Sequence, residues 1–242
     1  MTLAIGSWSV AAHAQDPLTA FPKNYSLVLD NATVEVIRTH YGPHEKIGVH
    51  DHSSFPTVFV YLNDSGPVQI EHVEGDKSTV VTRPPTVMGA FRVSPGMAER
   101  HRIENPGDTS SDFLRVELKQ ASLGILEPFR GKAPPNPLQS QDSIEFTDPS
   151  VQIERIVCID SSACPIKASS APSLIVAFTP LYLMEGAAER EELDSGAVRW
   201  LPASEAATIV PGAASPAHIL RILLPAIQKK SHPPASGSRL PN

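Results

Sequence analysis

The chain has 242 residues, with 20 Lys and Arg against 26 Asp and Glu, and therefore a formal net charge of -6 at pH 7. This acidic balance argues against a nucleic-acid-binding protein, which usually carries a basic patch, and against a protein that binds membranes through basic residues. Hydrophobic residues make up 41% of the chain and charged residues 19%, so a packed core is expected. No apolar run is long enough to span a bilayer, and the 24 prolines argue against long helices.

Both ends of the chain differ from the middle. Residues 1–24 are interpreted as a leader, because an apolar stretch is followed by Ala12-His13-Ala14, a small-x-small pattern typical of a secretory cleavage site. No Lys or Arg precedes that stretch, so an exported or periplasmic location and a cytoplasmic one both stay open. Residues 228–242 are polar and rich in Pro and Ser, which predicts a disordered tail.

The two cysteines bear on the same question of location. Cys158 and Cys164 enclose five residues that are typical of a turn between two strands. A disulfide bond across this turn is expected if the protein is exported, and two free thiols are expected if it is cytoplasmic. The spacing differs from that of a zinc-binding Cys-x-x-Cys pair.

Between the ends, short β-branched and aromatic runs alternate with turn residues, a pattern that predicts an antiparallel sandwich or barrel. Eight strands in about ninety residues match a small double-sheet jelly roll, so the first half is predicted to be an all-β barrel over residues 25–130. The predicted strands are Ser26 to Leu29, Thr33 to His40, Thr57 to Leu62, Val68 to Val73, Ser78 to Thr82, Gly89 to Val93, His101 to Glu104 and Phe113 to Leu118.

A proline-rich segment, residues 131–143, is predicted to be a linker to a second strand-rich domain over residues 144–227. Each half ends on an apolar strand around a Leu-Arg pair that follows a Pro-Gly pair, which suggests a duplicated fold. A chance likeness between two apolar strands is the alternative. The second set of predicted strands is Val151 to Cys158, Ser173 to Phe178, Leu181 to Met184, Ala197 to Leu201, Ala207 to Val210 and His218 to Leu224.

The histidines are concentrated in the first half of the chain. The sharpest feature is His50-Asp51-His52: in extended structure residues i and i+2 share a face, so both imidazoles are expected to converge while Asp51 faces away. Two imidazoles on one strand supply half of a transition-metal site. The third ligand must come from elsewhere in the sheet, and His101, after the Ser94-Pro95-Gly96 turn, is the candidate.

These residues resemble the two motifs of the cupin superfamily. Gly48-Val49-His50-Asp51-His52 is similar to the first motif, and Gly89, Pro95, His101 and Asn105 are similar to the second. The resemblance covers about residues 30 to 120 and implies a double-stranded β-helix barrel in which His50, His52 and His101 bind one divalent metal. The duplicated pattern would then make the chain a degenerate bicupin.

The sequence departs from the motifs at two places. The turn of the second motif reads Pro95-Gly96-Met97 and is one or two residues longer before the histidine. The Glu that the family places four or five residues after the second histidine is replaced by Pro56 or Thr57. The remaining three-histidine set resembles that of three-histidine dioxygenases of the superfamily and also fits zinc, so Fe, Mn, Ni and Zn all stay open. A neutral ligand set leaves the full charge on the metal, which favours anionic ligands.

Strand alternation extends the predicted site. If Thr57 faces inward, Phe59 and Tyr61 do so too, and Tyr61 then offers a phenolic hydroxyl near the metal, while Phe59 is interpreted mainly as core. Arg92 is predicted to hold a substrate carboxylate at the mouth, with Glu99 and Arg100 as further candidates. The remaining histidines of this half are interpreted as surface or structural residues: His40, His44 and His72.

The second half lacks a His-x-His motif, and alignment of the Leu-Arg pairs puts Ala207 or Thr208 opposite His101, which predicts a second barrel without a metal. The leading hypothesis is therefore a metal-dependent enzyme, dioxygenase-like or hydrolytic, that acts on a small organic acid or phenolic. The alternative is a non-catalytic module that binds a small ligand or metal. A third is a structural, dimer-forming barrel whose triad has no function.

Overall fold

The fold was analysed in a computed structural model that describes residues 15–160, 163–186, 190–212 and 216–224. The described residues form almost only antiparallel strands, which confirms the predicted all-β class. The small-x-small pattern at residues 12–14 and the predicted tail at 228–242 lie outside the described residues. Within the part of the chain that is described, no helix has both the length and the apolar character needed to cross a bilayer.

The first part of the chain forms two sheets that face each other. The larger has the strand order β1-β2-β9-β4-β7-β10 and the smaller has the order β3-β8-β5-β6. A single helical turn, α1 (Pro17–Ala20), precedes them and is capped by the Asp16 carboxylate, which accepts a hydrogen bond from the Leu18 N–H. The strands are β1 (Tyr25–Asp30), β2 (Val34–Tyr41), β3 (Lys46–His52), β4 (Thr57–Tyr61), β5 (Val68–Glu74), β6 (Lys77–Arg83), β7 (Phe91–Ser94), β8 (Glu99–Glu104), β9 (Ser111–Leu118) and β10 (Phe129–Gly131).

The second part repeats this arrangement. Its larger sheet has the order β11-β12-β19-β14-β17 and its smaller sheet the order β13-β18-β15-β16, which matches the first part strand for strand apart from the added β10. The strands are β11 (Gln141–Asp148), β12 (Val151–Cys158), β13 (Cys164–Ile166), β14 (Ser173–Ala177), β15 (Leu181–Glu185), β16 (Glu191–Leu193), β17 (Val198–Leu201), β18 (Ala207–Pro211) and β19 (Ala217–Leu223). The repeated order confirms a duplicated jelly-roll barrel.

Strand alternation divides the buried residues into three layers. On β2, Val34 and Val36 belong to a core that also contains Ile153 and Leu220 of the second barrel, so the two large sheets pack against each other. The interior of the second barrel is filled with aliphatic side chains. The interior of the first barrel has fewer aliphatic and more aromatic side chains, with polar groups among them. The first barrel is therefore the one with an interior suited to a ligand.

Several strands differ from the sequence prediction. β8 begins at Glu99 rather than at His101, and this places Glu99 on the same face of the strand as His101. β10 and β11 extend into the predicted linker, because β10 pairs with β7 and β11 pairs with β12. β11 is an edge strand on which Ile144 is exposed, so its sequence lacks a continuous apolar face. Three further strands, β3, β13 and β16, were not among the strands predicted from the sequence.

The two cysteines, whose state the sequence left open, form a disulfide bond between the end of β12 and the start of β13. Cys158 is buried in the interior of the second barrel, and Cys164 packs partly against the same core. The bond therefore joins the larger and the smaller sheet of the second barrel.

A buried polar cluster connects the two barrels. Arg155 on β12 is fully buried, pairs with Glu145, and donates hydrogen bonds to the backbone carbonyls of Gly89 and Lys132. Its Nη1 also lies 2.8 Å from Nε2 of His218, which must accept this bond because a guanidinium can only donate. Burial and the charge of Arg155 lower the pKa of His218 from its ordinary value of 6.5 to about 3. His218 is therefore neutral in the folded protein near neutral pH.

We expect this cluster to make stability pH-dependent. Between pH 6.5 and pH 3 the unfolded chain protonates His218 and the folded chain does not, so the free energy of unfolding falls as the pH is lowered, by up to about 1.4 kcal/mol per pH unit from this group. The variant His218→Gln keeps an acceptor for Arg155 and should show a shallower decline in chemical denaturation at pH 7, 6 and 5. In the control His44→Gln, which changes an exposed histidine, the free energy of unfolding should fall with pH as in the wild type. An equal fall in all three proteins would contradict the role assigned to His218.

Candidate metal centre

Two neighbouring strands of the smaller sheet bring the three predicted ligands together. β3 and β8 pair antiparallel, with His50 opposite His101 and His52 opposite Glu99. Alternation along β3 turns both of its histidines to the barrel interior, and the centroids of the three imidazole rings lie 4.7–5.0 Å apart. Asp51 faces the other way, where it accepts hydrogen bonds from the Gln15 N–H and from Arg100.

One nitrogen atom from each ring lies close enough to the other two for all three to bind a single ion. One ring nitrogen from each histidine lies within 4.8 Å of the others. His101 is buried, yet neither of its ring nitrogens has a hydrogen-bond partner among the described residues. Buried polar atoms are nearly always paired, so two unpaired nitrogens facing two other imidazoles indicate a place for a bound group. The residues thus fit a first-row divalent metal held by three imidazoles.

Hydrogen bonds already orient His50 as a ligand. Its Nδ1 donates to the Gly48 carbonyl at 2.9 Å, because a carbonyl can only accept, and this leaves a lone pair on Nε2. Metal-binding histidines commonly use a backbone carbonyl in this way. This Nε2 lone pair accepts a hydrogen bond at 2.8 Å from the Tyr25 hydroxyl, whose oxygen is 3.1 Å from that of Tyr41, so a metal on His50 would take the place of the Tyr25 bond. Tyr25 therefore adjoins the metal position.

All three histidines are neutral in this environment. Burial lowers the pKa of His101 to about 2, with further contributions from the charges of His50 and Arg115. Burial, followed by the charge of Arg115, also lowers the pKa of His52 well below 6.5, and burial is the largest cause of the lowered pKa of His50. Neutral imidazoles are the form that binds metals, so the site does not require deprotonation near neutral pH.

Neither Pro56 nor Thr57, the two residues at the position of the motif carboxylate, can supply that ligand. Thr57 is buried, and its hydroxyl donates to the Phe55 carbonyl at 3.0 Å. The cluster that could hold a metal consists of His50, His52 and His101, and no carboxylate of the described residues joins it. The first coordination sphere offered by the chain is therefore neutral.

A narrow cavity of about 40 Å³ adjoins the histidines inside the first barrel. Compared with the volume that one buried water occupies, the cavity has room for a few water molecules or for a ligand of few heavy atoms. Tyr61 and Arg92 both line the cavity, as do Phe59 and Glu99, whereas Arg100 lies outside it beside Asp51. The other lining residues are Tyr25, Thr39, Tyr41, His52, Val68, Ile70, Arg83, His101, Ile103, Phe113 and Arg115.

Several of these lining residues were missed by sequence reasoning, among them Tyr25, Arg83 and Arg115. Arg115 on β9 is buried between two carboxylates, 2.7 Å from Glu117 and 3.0 Å from Glu99. Both carboxylates raise its pKa, against the lowering effect of burial. The alternating apolar pattern of β9 predicts which residues face inward, but a charged residue in such a pattern is normally assigned to the surface.

The corresponding strands of the second barrel have no such site. β13 and β18 pair Ile166 with Ala207 and Cys164 with Ile209. All four side chains belong to or pack against the aliphatic core of that barrel. No metal-binding cluster occurs there among the described residues.

Comparisons with known proteins identify the fold. No protein-family model and no curated protein matches the sequence. Solved structures do match: AerE from Microcystis aeruginosa has a TM-score of 0.59 at 12% identity, covering 84% of this chain and 97% of that one. An oxalate decarboxylase has a TM-score of 0.56 at 7% identity over 84% of this chain and 75% of its own. The salicylate 1,2-dioxygenase of Pseudaminobacter salicylatoxidans has a TM-score of 0.52 at 11% identity. The match covers 79% of this chain and 71% of the dioxygenase chain.

These matches show that the chain shares its fold with several solved structures. Because the identities are so low, they establish the fold alone. The chain has the cupin fold, as its two histidine motifs predicted, in two tandem barrels of which the first carries the candidate metal centre.

Proposed function

We propose that the protein is a metal-dependent enzyme that acts on a small organic acid or phenolic in the first barrel. His50, His52 and His101 would hold one divalent ion, Fe, Mn, Ni or Zn. When bound, such an ion can activate O2 or water, and dioxygenase and hydrolase chemistry both remain open. The observation that carries the proposal is the buried His101: neither of its ring nitrogens has a hydrogen-bond partner in the described part of the chain, and one of them lies within 4.8 Å of nitrogens of two further imidazoles.

The chain's own residues support a small polar substrate. Tyr61 brings a phenolic hydroxyl and Arg92 a guanidinium to the same cavity as His52 and His101. A guanidinium binds a carboxylate with two parallel hydrogen bonds, so Arg92 would orient an acid group relative to the metal. Oxalate decarboxylase and salicylate 1,2-dioxygenase, which share the fold, are named for small organic acids.

The test is metal analysis combined with a metal-dependent assay. Protein purified without chelator should contain about one equivalent of a single first-row metal per chain. Activity on a panel of small carboxylic acids and phenols, followed by O2 consumption and by product analysis, should disappear after dialysis against chelator. One metal should restore it. Protein without any bound metal, and without uptake of added metal, would exclude the site.

The absence of a carboxylate ligand favours one second candidate, a non-catalytic module that binds a small ligand or a metal. The same experiments separate the two functions. Activity lost on metal removal and restored by one metal supports the enzyme, whereas metal binding without turnover of any compound supports the module. A homodimer is compatible with either function and is tested by light scattering.

A further inference from the structure

Two arginines in the cavity lack a carboxylate partner. Arg83, at the end of β6, is buried, and Arg92 on β7 is partly buried, yet the described residues provide neither with an ion pair. Arg83 donates from Nη2 to the hydroxyls of Ser65 and Ser111, at 3.1 and 2.8 Å. The Nε atoms of Arg83 and Arg92 are buried and have no hydrogen-bond partner in the described part of the chain.

Aromatic rings hold these guanidinium groups in place. The Arg92 guanidinium carbon lies 4.2 Å from the centre of the Phe59 ring. That of Arg83 lies 5.5 Å from the Tyr61 ring and 5.7 Å from the Phe113 ring. Stacking on a ring uses the face of a guanidinium and leaves the N–H groups at its edge available. The barrel thus orients both groups without consuming all of their donors.

Glu99 and Glu117 carry two negative charges against the one positive charge of Arg115, so the remaining charges offset only one of the two arginines. Glu99 attracts Arg92, but it is already bonded to Arg115 at 3.0 Å. Arg83 faces the phenols of Tyr41 and Tyr61 and the positive charge of Arg92, and Arg130 adds a further positive charge near Arg92. Burial lowers the pKa of both arginines, which reflects the cost of keeping these charges in the barrel.

A buried charge without a partner destabilises the fold, and proteins accept such a cost mainly at functional sites. With a divalent metal on the three histidines the interior would become more positive still. Only an anionic ligand can offset this charge, and two guanidinium groups match two acid groups.

We propose that Arg83 and Arg92 form a binding site for a small dicarboxylate inside the first barrel, and that this site binds its ligand without help from a metal. The inference rests on the proposed function in that it specifies the substrate class of the same cavity. The cavity volume of about 40 Å³ restricts the ligand to a short dicarboxylate. Ser65 and Ser111 orient Arg83, and Phe59 orients Arg92.

The test uses the full-length protein freed of metal by chelator, with malonate as the probe. Isothermal titration should detect malonate binding, at least about tenfold weaker binding of propionate, which has one carboxylate, and weaker binding of the longer adipate. The variant His50→Ala should retain malonate binding. This outcome separates the inference from the proposed function, because His50→Ala removes a metal ligand and leaves both arginines.

Two variants assign the binding to the arginines. Arg92→Met and Arg83→Met should each weaken malonate binding about tenfold or more, and Arg92→Lys, which keeps the charge, should lose less. The control Arg102→Gln removes a guanidinium that pairs with Glu71 on the outer surface, and it should bind malonate like the wild type.

Thermal unfolding distinguishes a ligand site from a purely structural one. Ligand-free Arg92→Met should be at least as stable as the wild type, because it removes an unpaired charge, but it should lose the rise in Tm that malonate gives. A lower Tm without ligand together with unchanged malonate binding would overturn the proposal. So would malonate binding that occurs only after metal is added, since the metal would then be the anion site.

Discussion

His101→Ala is expected to bind the metal at least about a hundredfold more weakly than the wild type, because loss of one ligand costs more than the 10- to 100-fold that loss of a supporting residue costs. Only two imidazoles of the set would then remain. The measurement is metal content after purification without chelator, followed by titration with a competing chelator. His101 is the most informative position because its two unpaired nitrogens have no role in hydrogen bonding among the described residues.

The matched control is His72→Ala. His72 lies opposite His101 on the neighbouring strand β5, and the two ring centroids are 5.7 Å apart, but His72 is outside the ligand cluster. Its removal should leave the metal content unchanged. A His101→Ala protein that is folded by circular dichroism and still contains one metal per chain would disprove the three-histidine centre.

Arg115→Met is expected to lower the free energy of unfolding by about 3–5 kcal/mol, because it leaves the buried Glu117 and the partly buried Glu99 without their partner. Glu117 is 4% exposed and would lose its 2.7 Å contact, while Glu99 would lose one at 3.0 Å. In a chain of this length that change corresponds to a fall in Tm on the order of 10 °C. Differential scanning fluorimetry and chemical denaturation at pH 7 measure it.

A triple variant tests the cause of the loss. Arg115→Met combined with Glu99→Gln and Glu117→Gln removes the stranded negative charges and should recover most of the lost stability. The exposed pair of Arg102 and Glu71 offers a control, and Arg102→Gln should change Tm little. Equal losses in the single and triple variants would show that packing of the Arg115 side chain, rather than charge, stabilises the barrel.

The sequence predicted most of the strands because alternation and turn residues are local signals. It also predicted that His50 and His52 share a face, since a period of two is a property of any extended strand. The start of β8 at Glu99 and the edge strand β11 were missed. β8 pairs with β3 and β5, which are distant in sequence, and β11 is an edge strand that pairs only with the adjacent β12. Both strands have partly exposed side chains, so the local pattern is weak.

The charged part of the cavity could not be predicted in the same way. Arg83, Arg92 and Arg115 come from three strands that are separated in sequence, and Tyr25 reaches His50 from the first strand of the barrel. Each would be assigned to the surface or the core by composition alone. Arg92 was predicted as a carboxylate-binding residue, and that role stays a prediction.

The alternation of β-branched and aromatic runs with turn residues, together with the histidine spacing, determined by themselves an all-β fold with three candidate ligands, because these patterns depend on residues close together in the sequence. Only the tertiary structure decided that the two large sheets share one apolar core, that the second barrel interior is aliphatic, and that two arginines without carboxylate partners among the described residues face the first cavity. These features depend on which strands pair and which faces meet. Burial then decides whether a charge is solvated or needs a ligand, and burial is a property of the whole fold.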